Sequence, residues 1–318
     1  MNFAEEFRKL TRRVLLGPPG LPGAFDLPLQ SPQTEVAVWL HGVGAPRDVT
    51  ACHSVACPIP CIFCIGFGED VVEKLSTHKP LSLCFVERRG RQKLLGEIKL
   101  KYQQTIVTDG PQLGLYKATD CTFFCISPYR SWIRSLHAKY QHSKARHSGR
   151  LQPSSLDSCC NAVVFSCPRP VVLVSILNGE TGNIFPMNLM GQVGEHHFVF
   201  ALNRNNQAAS AVIAAGQLCV SSIPFEHAEH VRNFGRHHHQ STVDFKELPF
   251  GLRPSSLLGI PVPDFALTVR ELLVERVLPL GSHTFFIARI VNVQEYSKAL
   301  EFYRIHGLYA AERMRHSS

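Results

Sequence analysis

Short apolar runs separated by turn-forming residues recur along most of the chain. "EVAVWLHG", "CIFCIGFG", "LSLCFVER", "LLGEIKL" and "CTFFCIS" are brief and rich in β-branched and aromatic residues. This pattern predicts the strands of a sheet or small barrel. A second series follows: "AVVFSCPRPVVLVSIL", "HFVFAL" and "QLCVSSIP", then the long runs "DFALTVRELLVERVLPL" and "SHTFFIARIVNVQ" joined by a hairpin-like "PLGSH". Helical spacing is sparser. It occurs at Phe3, Phe7, Leu10 and Val14, at Trp132, Ile133, Leu136 and Tyr140, and in "NNQAASAVIAAG" and "EHAEHVRNFG". A last helix is expected over "SKALEFYRIHGLYAAERM". Long antiparallel strands with a few short helices predict a mainly β (α+β) molecule closed into a barrel, not a doubly wound sheet. No short-period internal repeat stands out.

Two stretches punctuate this pattern. Residues 17–34 are rich in Pro and Gly, and residues 141–160 are polar and basic. They divide the chain into an N-terminal helix and linker (1–34), a basic β-rich domain (35–150) and a second β domain (151–318). The first domain is expected to be a degenerate relative of the barrel that follows, a cap over its pocket, or a surface that recruits a partner.

Composition and charge narrow the class. Of 318 residues, 45% are apolar and 18% charged, as in a folded globular chain. The net charge of +8 lies in residues 1–150, where 20 Lys and Arg face 12 Asp and Glu; the remainder is balanced. A basic half can attract nucleic acid, an anionic surface or a phosphorylated ligand. No apolar run reaches membrane-spanning length. Glu5 and Glu6 interrupt the N-terminal apolar pattern, so a secretory signal is not expected and a cytoplasmic location is. Eleven Cys, an odd number, then read as free thiols.

Several chemistries are excluded. "GVGAPRD" and "GFGED" lack the third Gly of a dinucleotide fingerprint. There is no phosphate loop, nucleophile elbow or paired-carboxylate pattern. Two clusters stay open. Cys52, His53, Cys57, Cys61 and Cys64 offer soft ligands for zinc or iron–sulfur, or thiols packed on a buried strand. His227, His230, His237, His238 and His239 could hold metal or haem, touch a phosphate or nicotinamide, or sit in solvent.

One stretch fits none of these readings. "NGETGNIFPMNLMGQVGE" (178–195) packs Gly and Asn between two apolar runs. Such residues let backbone come close to a neighbour. With its flanks, "CPRPVVLVSILNGETGNIFPMNLMGQV" resembles the opening strand, Gly-containing turn and Asn-x-x-Pro strand of the flavin reductase-like family, whose fold is an FMN-binding split β-barrel. "HHFVFALNRNNQAASAVIAAGQLCVSSIP" is similar to that family's next strand, Arg-bearing loop, helix and following strand. "GSHTFFIARIVNV" resembles its His-bearing closing strand. The likeness covers about residues 161–295 in order.

The resemblance implies FMN as cofactor, NAD(P)H as hydride donor, and a homodimer with the site near the interface. It implies a ring wall at Asn183, Pro186, Met187 and Asn188, then Leu202 and Asn203, with Arg204 at the phosphate. Ser221, Ser222 and His283 would stand nearby. The chain departs from the family after Arg204, where "NNQAAS" replaces a Lys-Asp-Thr-like stretch, and at Ala288–Arg289. An oxidoreductase passing hydride to flavin is therefore set against a non-catalytic FMN-binding or sensing protein. A haem- or metal-binding barrel is the third alternative.

Overall fold

A computed structural model describes residues 24–31, 34–67, 81–88, 92–110, 112–126, 129 and 151–316. The helices expected near Phe3–Val14 and Trp132–Tyr140 lie outside them.

The apolar runs form two seven-stranded antiparallel sheets. β1 (Ala24–Leu29) precedes the first. That sheet comprises β2 (Val36–His41), β3 (Arg47–Asp48), β4 (His53–Pro58), β5 (Cys61–Phe67), β6 (Leu81–Glu87), β7 (Leu94–Ile106) and β8 (Gln112–Phe123). Their spatial order is β3-β2-β6-β7-β8-β5-β4. After β9 (Arg169–Pro170), the second sheet comprises β10 (Val172–Asn178), β11 (Thr181–Met187), β12 (Met190–Val193), β13 (His197–Asn203) and β14 (Gln217–Ser222). A two-stranded excursion, β15 (Leu252–Pro254) and β16 (Pro261–Pro263), precedes its last strands, β17 (Thr268–Leu280) and β18 (His283–Glu295). The order is β11-β10-β14-β17-β18-β13-β12. β19 (Glu301–His306) pairs with β1 and β9 in a separate three-stranded sheet.

The order forces closure. β11 and β12 lie at opposite edges of the second sheet, yet only Asn188 and Leu189 separate them in sequence. Three peptide units span roughly 11 Å at full extension, so the sheet must curl until its edges meet. The result is the expected split barrel. Val172, Val174, Phe185, Met187, Phe200, Val220, Leu272 and Phe286 alternate into its interior. Phe200 and Phe286 stack there with centroids 4.7 Å apart. The first sheet obeys the same constraint, since β3 and β4 are also opposite edges joined by four residues.

Three elements depart from the sequence reading. "EFYRIH" is strand β19, and only Gly307–His316 is helical. Phe302 and Ile305 point to opposite buried faces, so tertiary pairing overrides helical spacing. The stretch assigned to a linker contains the helix Ser155–Val164. Ser154 and Asp157 form its capping box, and Asp157 Oδ1 also accepts from the Cys61 amide at 2.8 Å. Cys160, Val163 and Val164 fill the core of the first sheet, so this helix packs with the strands before it. Finally, "HSVACP" is strand β4, missing from the strands read off the pattern though it agrees with the reading of the Cys cluster as thiols on a buried strand.

Candidate functional site

The stretch that opened the question is a strand pair with a crossover. Gly179, at φ +63, makes the tight turn between β10 and β11. β11 then runs along one edge of the sheet, and β12 takes up the other.

Two groups of implied residues result. On one side, Pro186, Leu173, Ser221 and Val269 form a row across β11, β10, β14 and β17, with Met187, Val172 and Ser222 in the next row. The Met187 side chain turns into the barrel core, as does that of Leu202. Ser221 is fully buried, and its hydroxyl has no hydrogen-bond partner, like that of Ser175 on the same face. Ser222 Oγ accepts from the Thr268 amide at 3.2 Å. Asn183 is fully buried, and its amide donates to His237 O (3.1 Å) and Gln240 O (2.7 Å). Its Oδ1 is left without a partner.

The excursion between β14 and β17 explains this. Helix Ala228–Asn233 and the 3-10 turn Phe234–His239 lie against β11. His237 Nδ1 meets Ile184 O, and His238 Nε2 meets Pro186 O, each at 2.7 Å. Burial lowers the pKa of both rings, so they stand neutral and can donate one N–H each. His227 stacks on Phe265 at 3.9 Å. His237 and His238 thus cover the edge of β11, while His230 and His239 stay exposed.

On the other side, the end of β13 meets the start of β18. Asn203 is the register partner of His283. The Arg204 amide donates to Ser282 O at 3.1 Å, and its guanidinium donates to Gly281 O at 3.2 Å. Asn203 Oδ1 accepts from the Asn205 amide, which turns the chain toward helix Gln207–Ala215. Asn206 gives that helix no side-chain cap, so its positive end faces out beside an exposed Arg. His283 lies against Ser282 Oγ at 2.8 Å, and burial lowers its pKa to about 4. This corner combines one fixed cation, a helix N-terminus and a neutral imidazole. It can bind an anionic group and orient a polar edge beside it. A cleft of about 250 Å³ adjoins the same helix, with Asn178, Thr181, Gln207, Ser210, Ser241 and Thr242 among its lining residues. Asn188 belongs to the crossover that joins the two groups; Leu189 O next to it accepts from the Ala201 amide.

Sequence reasoning missed Gly281, Ser282 and their support from the first half. Ser282 N donates to Ile59 O at 2.8 Å, and Cys57 Sγ donates to Leu280 O at 2.9 Å. A Cβ on Gly281 would lie 2.2 Å from Ile59 O. "CPIPC" and "PLGSH" gave no local hint of each other.

Cys57, Cys61 and Cys64 are buried on β4 and β5, Cys52 is half-buried just before β4, and all four are free of disulfides. Among the described residues, no group of three or more His, Cys, Asp or Glu is arranged to hold a metal. None of the described helices is long and apolar enough to cross a membrane.

Residues 164–316 match the family model described as a flavin reductase like domain. No curated protein matches the chain. Among solved structures, the NADH:FAD oxidoreductase of Streptomyces globisporus is 18% identical, covering 47% of this chain and 88% of its own, with a TM-score of 0.42. An FMN-binding protein from Thermus thermophilus is 23% identical over 40% of this chain and 71% of its own, at a TM-score of 0.36. The flavin reductase component of a bacterial two-component tryptophan halogenase is 15% identical over 46% and 92%, at 0.42.

Proposed function

We propose that this chain, whose residues 164–316 are a flavin reductase-like domain, is an oxidoreductase that binds FMN and passes hydride to it from NAD(P)H. The observation that carries the reading is the corner of Arg204, the uncapped helix Gln207–Ala215 and neutral His283. The donor set fits a phosphorylated flavin. Arg204 and the helix N-terminus would hold the phosphate by charge and N–H donation. Asn203 would fix the loop that presents Arg204. His283, uncharged above about pH 4, would orient a polar ring edge without adding charge. The unpaired buried hydroxyl of Ser221 and Asn183 Oδ1 are further polar groups along the neighbouring rows. Bound flavin supplies the hydride chemistry, while the protein binds, orients and excludes water.

The test is direct. Flavin is added to purified protein and its absorbance and fluorescence are followed, with FMN and FAD compared; NADH or NADPH consumption is then measured. A perturbed spectrum and sustained turnover are expected. Unaltered flavin fluorescence would overturn the reading.

A second reading has its own observation. The Asn183 amide and the carbonyls of Ile184 and Pro186 are already committed to the excursion through His237, His238 and Gln240. Such a closed edge suits a non-catalytic flavin-binding protein. Flavin binding without nicotinamide consumption would select it.

A further inference from the structure

We propose that the chain is an internal duplication. Its first sheet is a second, diverged copy of the flavin reductase-like unit. It occupies in cis the place that another subunit would take, leaving one complete site per chain.

The strand order is the first observation. Matching β2 to β10, β3 to β11, β4 to β12, β5 to β13, β6 to β14, β7 to β17 and β8 to β18 turns one sheet order into the other. The second is finer. In the long hairpin, every position lies 172 residues after its counterpart. Lys99–Asp120 corresponds to Glu271–Asn292, Tyr102–Tyr116 to Val274–Ala288, and Ile106–Leu113 to Leu278–Phe285. The ladder slips twice in each hairpin, at Lys99/Leu100 and Tyr102/Gln104 in the first and at Glu271/Leu272 and Val274/Arg276 in the second. Those are the same two places. Hairpin geometry does not dictate where a bulge falls, and bulges are inherited features of a fold.

The packing between the units is also reciprocal. Their shared apolar core contains Cys64 and its counterpart Val199, Leu115 and Ile287, and Leu113 and Phe285. Counterpart strands β4 and β12 meet face to face, with a Cβ on Gly191 falling 3.3 Å from Ser54 Cβ. The hairpin turn at Gly281 rests on Ile59, and the turn at Gly110, next to its counterpart position 109, rests on His197, the counterpart of Ile62 three residues on. Each residue set contacts the other's equivalent, as in an isologous twofold interface.

The two units have diverged at the site. By the same register, Ser221 corresponds to Cys84 and Ser222 to Phe85. The first unit instead supplies Ile59 and Cys57, which position the turn carrying His283.

Sedimentation equilibrium of the intact chain, followed by FMN titration, tests this. The expected results are the mass of one chain and saturation at one FMN per chain. A two-chain mass, or saturation at two, overturns it. The stoichiometry rests on the flavin reading and the mass does not: if FMN fails to bind, that reading falls while the mass still decides the duplication. Independently, the double variant Ser54→Cys, Gly191→Cys is oxidised and its peptides mapped. A bridge between positions 54 and 191 within one chain is expected. A bridge between chains would overturn the proposal.

Discussion

The two sheets share a strand order and differ in what they carry. In the first, the register position Lys99–Asp120 holds an exposed ion pair at 2.8 Å. In the second, the same position holds Glu271 and Asn292, where the nearly inaccessible carboxylate accepts from Asn292, Leu257 and Leu258. Exposed pairs contribute little, whereas a buried carboxylate must be fully hydrogen-bonded or it is strongly destabilising. The first sheet needs no such anchor because only six residues separate β6 from β7. The second must pin a long excursion between β14 and β17. That excursion brings the helix and 3-10 turn that seal β11. The comparison shows that one strand order can carry different chemistry, because the scaffold rests on core residues and the polar contacts on a few residues at particular positions.

The largest effect should come from attacking what the sheets share. Leu115→Asp puts a charge into the common core, where Leu115 is 1% exposed. A loss of about 3–5 kcal/mol is expected, with both halves melting together in a thermal unfolding scan. Independent melting of two units would break the comparison. Arg204→Glu reverses the charge at the corner of the second unit. About 100-fold weaker FMN binding is expected with little change in melting temperature, because this side chain is exposed; an unchanged titration curve would count against the phosphate role.

Two glycines sharpen the contrast further. Gly281→Ala meets Ile59 O and takes a residue with φ +49, so about 2–3 kcal/mol is expected from denaturant unfolding. Gly44→Ala keeps the strained φ of +73 but meets nothing within 4 Å, and about 1 kcal/mol is expected. Equal losses would show that the contact between units carries no strain. The smallest effect is with pH. Burial lowers the pKa of His53 to about 3 and that of His283 to about 4. The folded state therefore binds fewer protons than the unfolded chain, and the stability present above pH 6.5 falls as pH drops from there toward 4. His283→Gln should flatten part of that decline in melts taken across this range.

Local pattern determined much of this protein. Short continuous apolar runs such as "HFVFAL" and "CIFCIGF", turn residues between them, and the likeness of residues 161–295 to a split barrel identified most strands and the second unit. These are properties of neighbours in sequence. The strand β19 was not legible, because "EFYRIH" has a helical apolar spacing and becomes a strand only when β1 and β9 supply its hydrogen bonds. Nor was the fate of Asn183 and the histidines, whose partners lie more than 50 positions away in the chain. A degenerate relative of the barrel was one of three readings of the first half, but the register that would match it to the second was not legible, for the same reason. Their core residues interchange freely among apolar types, as Leu115 with Ile287 and Cys64 with Val199, so little sequence identity survives. Register, bulges and closure are fixed by hydrogen bonds between distant strands, and only the tertiary structure decided them.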